Sequence, residues 1–137
     1  MKISINADYI LRAMYELATV NNEQPLSISK IANEKHISRK YLEKLFVNLK
    51  KYGIVKSILG KNGGYILADK PENITMKQII KAAEGRISIH NCRDPRVDMS
   101  CEFFENCVFK DFWTEFNNHI NIFLDSYTLA SFLKNDS

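Results

Sequence analysis

Ser27–Ala68 reads SISKIANEKHISRKYLEKLFVNLKKYGIVKSILGKNGGYILA, and this stretch decides the fold. Ser27 caps a short helix that runs through about Glu34 and buries Ile28, Ile31 and Ala32. A tight connection through His36 and Ile37 leads to Ser38, the cap of the next helix. That helix extends to Tyr52, sets Tyr41, Leu42, Leu45, Phe46 and Leu49 on one face, and stops at Gly53. Two short helices joined so briefly form a helix-turn-helix. The β-branched run Ile54–Ile58, the turn Gly60-Lys61-Asn62-Gly63-Gly64 and the run Tyr65–Ala68 then predict a hairpin. The fold class is therefore mainly α with a small β-hairpin wing: a winged helix-turn-helix. The glycine-rich turn is a poor phosphate cradle, because it precedes a strand instead of opening a helix, and no lysine followed by serine or threonine comes after it.

Working outward, Tyr9, Ile10, Ala13, Met14, Leu17 and Ala18 share one face of a helix over about 6–20, which Asn21, Asn22 and Pro25 break. Beyond the wing, Thr75 and Gln78 form a capping box, Ile74 is placed to staple to Ile79, and Gly85 ends the helix they start. From Arg86 to Asn106 the periodic pattern disappears. Phe109, Phe112, Trp113, Phe116, Ile120, Phe123, Leu124 and Tyr127 then recur at helical spacing. About sixteen residues at 1.5 Å each predict a last helix of roughly 24 Å. Its aromatic stripe, widened by Ile122, suits a dimer interface; an intramolecular lid on the preceding helix is the alternative. The chain divides into a DNA-binding unit (1–85), a cysteine-bearing loop (86–107), and a dimerisation helix with its C-terminal segment (108–137).

Length and composition agree with one small globular unit plus an oligomerisation element: the chain has 137 residues, 45% of them hydrophobic and 26% charged. No apolar run approaches the roughly 18 residues that span a bilayer, so no membrane partner is expected. Asp8 interrupts any signal-peptide core, which places the protein in the cytoplasm. The formal net charge is +3, and its distribution is lopsided. Between Lys30 and Lys61 nine Lys and Arg oppose Glu34 and Glu43, about +7. From Asp98 onward seven carboxylates oppose Lys110 and Lys134, about −5. One half of the chain is thus suited to a polyanion. No nucleophile with a matching base and orienter emerges, so an enzyme is not expected.

A recognition helix enters the major groove with its first turn against the bases. Ser38, Arg39, Lys40, Tyr41, Glu43 and Lys44 are the candidates for that contact. Arg39 and Lys40 suit guanine edges or phosphates, and Glu43 suits cytosine N4. Lys61 and Asn62, at the wing tip, are placed for the minor groove or its flanking phosphates.

An odd number of cysteines, three in all, argues against a disulfide framework in the cytoplasm. Their spacing, Cys92-x8-Cys101-x5-Cys107, lacks the paired C-x2-C knuckles of structural zinc. Three grouped thiolates suit iron–sulfur ligation, which normally takes four donors. His90, Asp94, Asp98, Glu102, Glu105 and Asp111 are nearby candidates for the fourth, and Asp8, His36 and His119 are more remote ones. Three ordinary free thiols are the alternative.

These residues together resemble the Rrf-two family of winged-helix regulators, which includes IscR and NsrR. The resemblance covers nearly the whole chain. It runs through Asp8–Met14, Ser38–Phe46, Gly63–Ala68, Ile74–Gly85, the three cysteines, Trp113 and Thr128–Leu133. It implies a homodimer crossed through the last helix, binding a promoter operator in double-stranded DNA and acting as a repressor. It also implies a [2Fe-2S] or [4Fe-4S] iron–sulfur cluster on Cys92, Cys101 and Cys107 that senses redox state, nitric oxide or iron–sulfur status. In IscR-like members a histidine three residues past the last cysteine completes the site; here that residue is Lys110. In NsrR-like members an N-terminal aspartate of the other subunit does so, and Asp8 holds that position. The wing also departs from the family: Leu59-Gly60 stands where an Arg-Gly pair is usual. A cluster-free thiol regulator of the same fold, or a metal-binding interaction scaffold, are the rival functions.

Overall fold

Short polar caps start every helix of the N-terminal half. In the computed structural model, which describes residues 3–20, 24–85, 87 and 104–133, Ser4 caps α1 (Ile5–Thr19) by accepting from the Asn6 N–H. Ser27 caps α2 (Ile28–Lys35), and Ser38 caps α3 (Arg39–Lys51). Each hydroxyl satisfies an N–H that has no partner inside its helix. The connection between α2 and α3 turns on His36, which takes a left-handed conformation (φ 56°). Beyond α3, the Gly53 N–H reaches the Lys50 carbonyl (3.0 Å), and the Ile54 N–H reaches that of Leu49 (2.9 Å). Gly53, at φ 75°, makes that tight exit possible.

The hairpin follows directly. β1 (Val55–Ile58) and β2 (Gly64–Leu67) pair antiparallel, with Val55 opposite Leu67 and Ile58 opposite Gly64. A third arm that the sequence pattern does not reveal joins them. Leu26, just before α2, exchanges both backbone hydrogen bonds with Tyr65 (3.0 and 2.9 Å). This approach requires Gly64: a Cβ there would sit 2.4 Å from the Leu26 carbonyl oxygen. The wing is therefore fixed to the start of the helix-turn-helix.

α4 (Met76–Glu84) carries the expected capping box of Thr75 and Gln78, and Gly85 ends it at φ 79°. Ile74 and Ile79, on either side of that cap, are both buried in the core. α5 (Lys110–Ser126) is the long aromatic helix, followed by a 3-10 turn (Leu129–Phe132). One core joins Ile10, Met14 and Leu17 of α1, Leu42, Phe46 and Leu49 of α3, and Ile79 of α4. It does not stop at Gly85. Leu129, beyond α5, is 2% exposed within the same cluster. Two backbone bonds stitch it in: Leu129 N–H to Ile74 O (2.8 Å) and Met76 N–H to Tyr127 O (2.9 Å). Among the described residues no helix is long and apolar enough to cross a membrane.

Candidate nucleic-acid interface and cysteine site

The exposed side of α3 gathers the predicted recognition residues. Ser38 is exposed, and its hydroxyl accepts from the Tyr41 N–H at 3.5 Å. Arg39, Lys40, Glu43 and Lys44 all face solvent around the first two turns. Tyr41 is half-buried and meets Tyr9 of α1 edge to face, with ring centroids 5.5 Å apart. It thus braces the recognition helix against α1.

Arg39 and Glu43 are not independent. The Arg39 Nε lies 3.2 Å from Glu43 Oε1, an exposed i,i+4 ion pair. Such a pair stabilises by only about 0.3–0.5 kcal/mol, so DNA can displace it at little cost. It engages Nε alone, which leaves the terminal nitrogens of Arg39 for a bidentate contact to guanine O6 and N7.

At the wing, the Gly63 N–H donates to the Gly60 carbonyl (3.0 Å) and closes a turn with Lys61 and Asn62 at its corners. Both are exposed. Sequence reasoning passed over the link between wing and recognition helix: Lys50 Nζ, in the last turn of α3, donates to Ser57 Oγ of β1 at 2.9 Å. Lysine spacing carries no signal for that contact, because it depends on how β1 folds back beside α3.

The cysteine site is described in part. Cys92 and Cys101 lie outside the described residues, as do His90, Asp94, Asp98 and Glu102. Cys107 has a free, half-buried thiol, and its carbonyl accepts from the Lys110 N–H (3.3 Å) in the turn that opens α5. Asp8 sits in the first turn of α1, exposed, with Oδ2 2.9 Å from Arg12 Nε. Glu105 and Asp111 are exposed near Cys107 in sequence. His119 is on α5 with Glu115, 3.5 Å away, and His36 forms the bend after α2. Among the described residues no three of these donors gather at one point.

One contact ties the end of α4 to the start of α1. Glu84, the last residue of α4, accepts from both the N–H and the hydroxyl of Ser4. The carboxylate thereby also meets the positive end of α1. The end of α4 thus lies beside the start of α1, and Asp8 stands one helical turn beyond Ser4, about 6 Å along the axis.

A family model described as Rrf2, iron-dependent transcriptional regulator, matches residues 3–135. The chain belongs to the Rrf2 family. An HTH-type transcriptional regulator of Neisseria meningitidis serogroup A is 34% identical over 134 residues, covering 98% of this chain and 88% of the relative. CymR, the global cysteine regulator of B. subtilis, is 36% identical with a TM-score of 0.74, covering 95% of this chain and 94% of that one. IscR of T. potens is 34% identical, also at a TM-score of 0.74, covering 100% and 89%. This Rrf2 chain is accordingly a DNA-binding transcription regulator of winged-helix fold, not an enzyme.

Proposed function

We propose that this Rrf2 regulator is a cytoplasmic homodimer that reads a promoter operator through α3 and the wing. Its switch is an iron–sulfur cluster on Cys92, Cys101 and Cys107. The observation that carries the reading is where the cysteines stand: all three lie on the segment that joins α4, packed in the core, to α5, which buries no residue of its own. A change there acts on the orientation of one helix relative to the other.

The donor chemistry fits such a group. Cys107 offers a free thiol at the start of α5, and thiolates are the usual ligands of iron–sulfur clusters. Asp8 offers an exposed carboxylate that, among the described residues, pairs with Arg12 of the same helix; opening an exposed pair costs under about 1 kcal/mol. Lys110 cannot ligate as an ammonium, so the partner's Asp8 is the fourth donor in this proposal. When bound, the cluster supplies a group sensitive to oxidants and nitric oxide. The chain's part is to hold it between the Cys107 end of α5 and Asp8 of the partner subunit, tying the two protomers of a two-state dimer together. The resulting shift equals the difference in binding free energy between the two states.

Self-association through α5 is supported by its exposed Phe109, Phe112, Ile122 and Phe123. An apolar groove of about 270 Å³, lined by Met76, Phe123, Leu124, Tyr127 and Phe132, opens beside them. Likeness to a global cysteine regulator supports a second reading, in which cysteine oxidation to sulfenic acid or disulfide does the switching without a cluster. Anaerobic purification with visible absorbance, iron and sulfide analysis separates the two. A coloured protein that turns colourless when all three cysteines become serine supports the cluster. A colourless, iron-free protein with redox-dependent promoter binding supports the thiol reading.

For the DNA contacts, Lys61→Ala is expected to weaken binding on all sequences and to lower the salt slope by about 0.9, one phosphate contact. Glu43→Ala is expected to relax base preference with little change in slope. Anisotropy titrations on specific and random duplexes at several salt concentrations measure both.

A further inference from the structure

Leu59 is 93% exposed, the most exposed of the large apolar side chains among the described residues, and Ile58 beside it is 40% exposed. They stand at the tip of a hairpin whose other exposed side chains are cationic or polar: Lys56, Lys61 and Asn62. Among the described residues the core does not use Leu59.

The tip is shaped for insertion. Gly60 and Gly63 carry no side chains, and the Gly60–Gly63 hydrogen bond closes the turn tightly. Gly63 tolerates nothing larger, since a Cβ would lie 2.2 Å from the Ile58 carbonyl oxygen. The hairpin is also tied to the helix-turn-helix through both of its strands. The Leu26–Tyr65 bridge fixes β2 to the start of α2, and Lys50–Ser57 fixes β1 to the end of α3. Whatever positions α3 on a duplex therefore positions Leu59 as well. The B-DNA minor groove is about 6 Å wide, too narrow for the whole ribbon but wide enough for one apolar side chain. Lysines flanking an apolar tip match phosphates flanking the sugar-lined walls of that groove.

We propose that Leu59 is a minor-groove contact of this regulator. It packs its isobutyl group against the groove walls while Lys61 holds a flanking phosphate. This inference rests on the reading that α3 and the wing face DNA. An apolar contact senses groove width and deformability, not charge. Its signature is therefore affinity without salt dependence.

The test begins with duplexes selected from a random library by the anaerobically purified full-length protein. Binding of the wild type, Leu59→Ala, Leu59→Arg and Lys61→Ala is then measured across salt concentrations, with hydroxyl-radical footprints of each complex. Leu59 is exposed, so these variants are expected to melt as the wild type does. Leu59→Ala is expected to bind about tenfold more weakly, an ordinary loss for most of a leucine's burial. Its salt slope stays at the wild-type value, and minor-groove protection beside the recognition half-site disappears. Leu59→Arg is expected to steepen the slope and to favour A-tract flanks. Binding of Leu59→Ala within twofold of wild type, with an unchanged footprint, overturns the proposal. If Lys61→Ala still lowers the slope in that case, the wing meets DNA through phosphates alone. If Lys61→Ala is also silent, the wing does not face DNA and the wider reading fails with it.

Discussion

α3 and α5 are built from similar material, apolar residues at helical spacing, yet they end in opposite conditions. α3 buries Leu42, Leu45, Phe46 and Leu49, with Leu42, Phe46 and Leu49 at 0% exposure. α5 is longer and more aromatic, and buries no residue. Phe112 and Phe123 are each more than half exposed. The difference is one of supply. α1, α3 and α4 already satisfy one another around a single core, whereas among the described residues α5 packs chiefly against α4 and the turn that follows it. An apolar stripe marks a face that must be covered; it does not say by what.

Leu129 is the sharpest way to break the contrast, because it sits beyond α5 yet belongs to the core of the N-terminal half. Leu129→Ala is expected to destabilise the fold by about 3 kcal/mol, the usual cost of a buried leucine truncated to a cavity; thermal or urea unfolding measures it. A loss below 0.5 kcal/mol would mean that the C-terminal turn is an appendage. Charging α5 itself should act on assembly and leave the fold standing. Phe112 and Phe123 are eleven residues apart, three turns, and so share a face. Phe112→Asp with Phe123→Asp is expected to give a folded monomer by light scattering and to cost roughly a hundredfold in operator affinity. The wild-type melting temperature should also rise with protein concentration, and that of the double variant should not.

Two smaller changes sharpen the same comparison. Thr75→Ala removes the cap that starts α4 and is expected to cost about 1 kcal/mol. Lys77→Ala removes an exposed contact to Asp125, at 3.4 Å the side-chain ion pair between α4 and α5 among the described residues. Its expected cost is under about 0.5 kcal/mol. A loss several times larger in chemical unfolding would show that charge, and not backbone stitching, joins the two halves.

Much of this was legible in the residues themselves. The serine and threonine caps, the glycine stops and the 3.6-residue periodicity place the five α-helices among the described residues close to their observed ends, because those signals act over one turn of chain. The exposed face of α3 was legible for the same reason: Arg39, Lys40, Glu43 and Lys44 are what remains of the helix once its apolar face is assigned inward. The contacts that set the site's geometry were not. The Leu26–Tyr65 bridge, the Lys50–Ser57 bond, the Arg39–Glu43 pair's hold on one guanidinium nitrogen, and the Ser4–Glu84 contact leave little or no trace in composition. Three of those four link residues on different elements, and their partners are chosen by the packing of the elements between them.

Local chemistry in the sequence determined the helices, the wing, the basic face and the grouping of three cysteines, since caps, turns and amphipathic faces depend on neighbours a few residues away. Only the tertiary structure decided that Leu129 closes the core from beyond α5 and that Glu84 ties the end of α4 to the head of α1. It alone decided that Leu59 projects, exposed, from the tip of a hairpin tied at both strands. Each of these results from distant backbone segments approaching within a few ångströms, a distance that no pattern along the chain encodes.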